Sequence, residues 1–234
     1  MGQVPGNKKI LVIGNGRVAK HWLHYLSLLK IPTSHWYRKS NLELKETSFD
    51  LVFLAVSDSG LPELLLKYPW LQNSHLVHFS GANYFDGILG IHPLMTFSNE
   101  LYDRGTYQKI ALAIDFAEDK YKSLFSFLPN PTWQIEPSQK AKYHALCVMS
   151  GNFPQILWQK IETEITALGC PVDAWKVYIL MSATNYYKDS NSLTGPLVRK
   201  DVSTIEKNVA SLSSSPLQAI YKSFCQFYGI RGDA

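Results

Sequence analysis

The chain has 234 residues, 46% hydrophobic and 18% charged, with a formal net charge of +4. That balance describes a folded globule of one large or two modest domains and excludes a disordered chain. The basic residues are scattered rather than interleaved with aromatics, which excludes a nucleic-acid track, and no run of about 18 apolar residues offers a membrane span.

In chain order, "KILVI" (Lys9 to Ile13) is a short continuous apolar run of buried-strand type. It stops at "GNG", and "RVAKHWLHYLSLL" continues with helical spacing, placing Val18, Trp22, Leu26 and Leu29 on one side before Pro32 ends the helix. "TSHWYRK" reads as a second strand and "DLVFLAV" (Asp50 to Val56) as a buried third. "SGLPELLLKYPWL" is helical up to Pro69; "HLVHFSG" (His75 to Gly81) and "KIALAID" (Lys109 to Asp115) are further strands, "EDKYKSLFSFL" a short helix and "PTWQIEP" an edge strand. Alternation at this spacing predicts an α/β fold, a Rossmann-type mostly parallel sheet with helices on both faces.

The pattern changes near Pro137. One long periodic segment runs to about Gly169, and helices are predicted over 173–188, 201–212 and 216–228, separated by "NSLTGP" and "SLSSSP". The expected division is therefore a dinucleotide-binding domain over residues 1–136 and an all-helical domain over 137–234. Cys147, Cys170 and Cys225 are odd in number and widely spaced, which favours a reducing, cytoplasmic setting over a disulfide framework.

"VIGNGRVAKHW" sets Gly14, Gly16 and Ala19 in a G-x-G-x-x-A turn between the first strand and helix. Gly14 permits the tight turn, Gly16 lets a pyrophosphate approach the backbone, and Ala19 lets the helix pack closely, with its N-terminus facing the anion. Asn15, Arg17 and Val18 complete the candidate cofactor turn. Where an NAD site usually offers an acid after the second strand, this chain has Arg38, Lys39 and Ser40. A guanidinium, an ammonium and a hydroxyl suit a 2'-phosphate, so NADP is expected, with NAD the second choice and a plain solvated basic loop the alternative. Val56, Ser57 and Asp58 end the third strand and Ser80 and Gly81 the fourth, so these too should border the cofactor, unless Asp58 merely caps the next helix.

The apolar segment "GILGIHPLMTF" (Gly87 to Phe97) is broken by His92-Pro93. An imidazole there suits proton transfer accompanying hydride transfer; otherwise it is a buried histidine satisfied by a carbonyl. In "SQKAKYHALCVMSGNFPQ", Lys140 and His144 are four apart and share a helix face, to which Asn152 returns if Gly151 leaves the helix intact. Farther on, Arg199 in "LTGPLVRKD" is a candidate carboxylate clamp, and Asp201 a candidate helix cap.

Taken together, "VIGNGRVAKHW", "LAVSD", "HFSGA", "GIHPLMTF", "KAKYHALCVMSGN" and "LTGPLVRKD" resemble the Rossmann-like proteins that carry a C-terminal domain designated DUF2520. That family is related to the 6-phosphogluconate dehydrogenase-like and pyrroline-5-carboxylate reductase-like proteins. The resemblance implies a nicotinamide cofactor held between a Rossmann domain and a helical domain, with helical domains paired in a homodimer. It also implies a role for His92 like that of the histidine-proline element of prephenate dehydrogenases, which meets the substrate hydroxyl. The lysine–asparagine pair of the ketopantoate and hydroxyacid enzymes is matched loosely, because Lys140 stands twelve residues before Asn152, not four.

The expected activity is NADP-dependent hydride transfer to or from a small anionic hydroxy, oxo or imino substrate held between the domains. His92 would be the acid or base, His144 or Lys140 would assist, Asn152 would position the substrate and Arg199 would anchor it. The alternative is a non-catalytic dinucleotide-binding sensor or scaffold. A metal enzyme ranks behind both, since neither His21 and His24 nor His75 and His78 belong to a recognised ligand spacing.

Overall fold

In the computed structural model, which describes residues 8–40 and 43–230, the chain forms two compact units, 1–156 and 157–234. The first contains a seven-stranded sheet in the order β2-β1-β3-β4-β5-β6-β7. Its strands are β1 (Ile10–Ile13), β2 (Thr33–Trp36), β3 (Leu51–Leu54), β4 (His75–His78), β5 (Leu89–Pro93), β6 (Leu112–Ile114) and β7 (Thr132–Gln134). Strands β2 to β5 run parallel around β1, β6 is antiparallel to β5, and β7 is parallel to β6. The helices of this unit are α1 (Arg17–Leu28), α2 (Leu61–Lys67), α3 (Arg104–Lys109), α4 (Glu118–Leu124), α5 (Lys140–Cys147) and the first turn of α6 (Phe153–Ala167).

Both faces of the sheet are covered, which is why β1 and β3 lack apolar–polar alternation. Ile10 and Val12 join a cluster with Trp22, Phe53 and Phe125, whereas Leu11 and Ile13 join Leu54, Leu61 and Leu71 on the opposite face. Each such side chain contributes roughly 1.5–3 kcal/mol by leaving water.

Three sequence expectations shift in detail. The Gly87 to Phe97 segment carries β5, a strand whose apolar pattern Gly90 and Pro93 interrupt. The expected strand over Lys109 to Asp115 contracts to β6, because Lys109 closes α3. Finally, the first compact unit continues past Pro137 to Ile156, because α5 packs its polar residues against β5 and β6.

The second unit continues with α7 (Val172–Lys188), α8 (Pro196–Arg199), α9 (Val202–Ser211) and α10 (Leu217–Phe227). Asp201 caps α9, its carboxylate accepting the Thr204 backbone N–H at 3.2 Å. Ile205, Val209 and Cys225 form its buried cluster. None of the described helices is long and apolar enough to cross a membrane.

Candidate functional site

The glycine turn leaves β1 at Gly14, whose φ of +133° is a conformation side-chain-bearing residues rarely adopt. A β-carbon at Gly14 would overlap the Ala55 carbonyl. The Gly14 N–H donates to Trp36 O at 2.9 Å, and His35 Nε2–H donates to Gly14 O at 2.7 Å, so β2 holds the turn from both sides. Gly16 precedes α1, nothing lies within 4 Å of where its β-carbon would stand, and Asn15, Gly16 and Arg17 are exposed. The first turn of α1 carries no acidic side chain and no side-chain cap, which leaves its backbone N–H groups to an anion. Ala19 is fully buried and Val18 partly so. These features fit a dinucleotide pyrophosphate. Arg38 and Lys39 are exposed in the turn after β2, closed by Ser40 N–H donating to Tyr37 O at 2.8 Å.

At the carboxyl end of β3, Val56 packs on the core, and Ser57 is exposed at the start of a short 3-10 turn, Asp58–Gly60. Asp58 does not cap a helix through its side chain. Its Oδ2 accepts Ser80 Oγ–H at 2.6 Å and Asn83 Nδ2–H at 2.5 Å, and Ser80 Oγ accepts the Asn83 N–H at 2.9 Å. This network ties the loop after β3 to the loop after β4.

Below it, a polar row crosses three strands. His78 pairs with Gly90, and the Asp115 N–H reaches Gly90 O at 3.3 Å, so His78, Gly90 and Asp115 lie side by side on β4, β5 and the end of β6. A β-carbon at Gly90 would overlap the Asp115 carboxylate, which occupies that gap. Asp115 Oδ1 accepts the Gly90 N–H at 2.7 Å, and Oδ2 accepts from Lys140 Nζ at 2.9 Å. The Ser80 N–H donates to His78 Nδ1 at 3.2 Å, so Nδ1 is an acceptor and Nε2–H faces Asp115 Oδ2 at 3.6 Å. That distance is longer than a hydrogen bond, leaving Lys140 the closer partner. Burial pushes the Asp115 carboxyl up, but His78, Lys140 and the Gly90 N–H outweigh it and hold it below the usual carboxylate range.

His92 stands two residues along β5 from Gly90, so its side chain shares that face of the sheet. His92 Nδ1 and the Tyr143 hydroxyl are 2.8 Å apart, and the His144 ring crosses His92 edge-on at a centroid distance of 5.7 Å. Gly81 backs onto both imidazoles: a β-carbon there would collide with His144 and lie 2.9 Å from His92 Nε2. Burial, then the neighbouring His144 and Lys140 charges, lower the His92 pKa to about 4. The ring is therefore neutral at pH 7. Burial foremost, then Cys147, push the Tyr143 hydroxyl up, so it keeps its proton.

Thus the structure brings together His92, His144, Ser80 and, at greater depth, Lys140. Lys140 is not on an open helix face: it is 1% exposed and its charge is matched by Asp115. Asn152 is exposed and closes a π-helical turn, Val148–Asn152, which winds extra residues into the turn and ends the α-helical spacing counted from His144. Arg199 is exposed at the end of α8 in the second unit. Sequence reasoning missed Tyr143, His78 and Asp115. An acid closing the apolar run "ALAID" was the available signal for Asp115; Tyr143 carried none. Among the described residues, no group of three or more His, Cys, Asp or Glu side chains is placed to hold a metal ion.

Residues 113–227 match the family model described as a domain of unknown function, DUF2520. No curated protein sequence matches the chain. Among solved structures, BF3122 from Bacteroides fragilis, provisionally called an NADP oxidoreductase, superposes with a TM-score of 0.78 at 20% identity, covering 96% of this chain and 99% of that one. TM1727 from Thermotoga maritima gives 0.70 at 21% identity, over 94% and 96% of the two chains. Plasmodium falciparum pyrroline carboxylate reductase with NADP bound gives 0.57 at 13% identity, over 95% and 100%. At such identities the likeness is one of fold. Residues 113–227 thus match the DUF2520 model, and the chain as a whole shares its fold with BF3122, TM1727 and the Plasmodium falciparum reductase.

Proposed function

We propose that this protein is an NADP-dependent oxidoreductase that moves a hydride to or from a small hydroxy, oxo or imino compound. One observation carries the reading. Four adjacent parallel strands, β1, β3, β4 and β5, end on the same edge of the sheet, so the glycine turn, Ser57, Ser80 and His92 lie along one line. Ligands of such sheets cross that edge, where the strand order reverses.

Gly14, Asn15, Gly16, Arg17 and Val18 would hold the pyrophosphate, and Arg38, Lys39 and Ser40 the 2'-phosphate. Val56, Ser57 and Ser80 would border the rest of the nucleotide. Arg38 favours NADP over NAD, as does the NADP seen in the Plasmodium falciparum structure. When bound, the nicotinamide supplies or accepts the hydride. His92, neutral at pH 7 and held at Nδ1 by Tyr143, has Nε2 left to hydrogen-bond the reacting oxygen or nitrogen. His144 borders the same spot. Lys140 acts through its charge, from within the ion pair.

We also infer a homodimer formed through the helical unit. In α7, Trp175 is buried while Tyr178 and Leu180 are 65% and 64% exposed, more apolar surface than a lone unit of this size usually leaves in water. Free cysteines fit a cytoplasmic setting.

The test is NADPH oxidation against a panel of cyclic imines and 2-oxo acids, with the reverse reaction on hydroxy acids. Turnover abolished by His92→Gln supports the reading. Tight NADPH binding without turnover across the panel favours a dinucleotide sensor instead.

A further inference from the structure

Helix α5 touches the sheet at two levels. At its first residue, Lys140 meets Asp115 beside Gly90; three and four residues later, Tyr143 and His144 meet His92. Three to four helical residues rise about 4.5–6 Å. Two strand residues, Gly90 to His92, advance about 6.6 Å. The two spacings nearly match, so the ion pair sets the register of α5 against β5. Lys140 is 1% exposed and cannot move without leaving Asp115 buried and unpaired.

We propose that Tyr143 is a positioning residue: its hydroxyl donates to His92 Nδ1 and fixes the imidazole as the Nε2–H tautomer, while the Asp115–Lys140 pair holds α5 so that this bond can form. The inference rests on the oxidoreductase reading for its consequence, not for its geometry. The hydrogen bond has two possible directions, and chemistry chooses between them. The phenol O–H is a stronger acid than an imidazole N–H, and the in-plane imidazole lone pair is a stronger acceptor than a phenol oxygen conjugated with its ring. Tyr143 O–H···Nδ1 is the better bond. A tautomer set at one ring nitrogen determines what the other can do. Nε2, which faces the Gly81 backbone at the strand edge, is then a hydrogen-bond donor to whatever binds there. Its role is to polarise a carbonyl or imine by donating a hydrogen bond through that single atom.

The test is 15N–1H spectroscopy of the full-length protein at pH 7, with the His92 signals identified by their loss in His92→Gln. The wild type is expected to show a pyrrole-type Nε2 and a pyridine-type Nδ1. Tyr143→Phe, which keeps the ring packing, should give a mixture of tautomers. Once a substrate is known, that variant should lower kcat at least about tenfold while KM changes by less than about threefold. In Asp115→Asn/Lys140→Met, where no buried charge is stranded, the tautomer signal should also become mixed in folded protein. A protonated Nδ1 in the wild type, or a pure Nε2–H ring in Tyr143→Phe, overturns the inference whatever the enzyme does. Failure to bind NADPH with the expected tautomer intact overturns the oxidoreductase reading and leaves the Tyr143 assignment standing.

Discussion

Lys140 Nζ lies 2.9 Å from Asp115 Oδ2, with both side chains 1% exposed, so a complete ion pair is sealed between α5 and the sheet. Removing one partner strands a charge. Lys140→Met is expected to destabilise the protein by about 3–5 kcal/mol, read from urea unfolding, whereas Asp115→Asn/Lys140→Met should cost less than Lys140→Met alone. Equal or additive losses would mean that the pair is not coupled.

Gly14→Ala should fail for two reasons that do not depend on any ligand. The φ of +133° imposes backbone strain of about 1–3 kcal/mol on a residue with a side chain, and the new methyl would overlap the Ala55 carbonyl. A fall in Tm together with loss of nucleotide binding is expected. Gly16→Ala, where space is open, should leave the Tm nearly unchanged.

His92 gives stability a definite pH signature. Its pKa falls from 6.5 to about 4 on folding, so between those values the unfolded chain binds more protons than the folded one. The His92 contribution to stability is therefore flat above about pH 6.5 and is lost as the pH drops toward 4, by about 3 kcal/mol in total. The Asp115 carboxyl, held below its unfolded value, contributes stability that is lost at lower pH still. Comparing unfolding midpoints of wild type and His92→Gln at pH 7 and 4.5 isolates the histidine: the variant should lose less on acidification.

The exposed α7 surface predicts a dimer in sedimentation equilibrium. Leu180→Glu should yield monomer with an unchanged far-UV spectrum, since that side chain is 64% exposed in its own unit.

Legibility followed local chemistry. The β1–turn–α1 unit was readable because a buried run, two glycines and a small residue fall within a few positions; in the structure β1 is fully buried, Gly14 takes a φ of +133° and Ala19 packs at 0% exposure. β5 was obscured because Gly90 and Pro93 look like strand breakers; in place, Gly90 makes room for a carboxylate and Pro93 ends the strand. The helical spacing of Lys140 and His144 indicated a shared face, and both do turn toward the sheet. Periodicity carries no depth, however, so it could not show that Lys140 is enclosed while His144 borders an open edge. Asp115 and Tyr143 are long-range partners of residues 25 and 51 positions away, and no local pattern encodes such pairings. The change of texture at Pro137 marks where strands give way to helices. Packing continues across it to Ile156, because the polar contacts of α5 belong to the sheet.

The most direct measurement is calorimetric titration of the full-length protein with NADPH and with NADH, repeated on Arg38→Ala. Saturable binding that favours NADPH, with the preference reduced at least about tenfold in Arg38→Ala, is the predicted result. Absence of saturable binding of either nucleotide to folded wild-type protein would contradict the account.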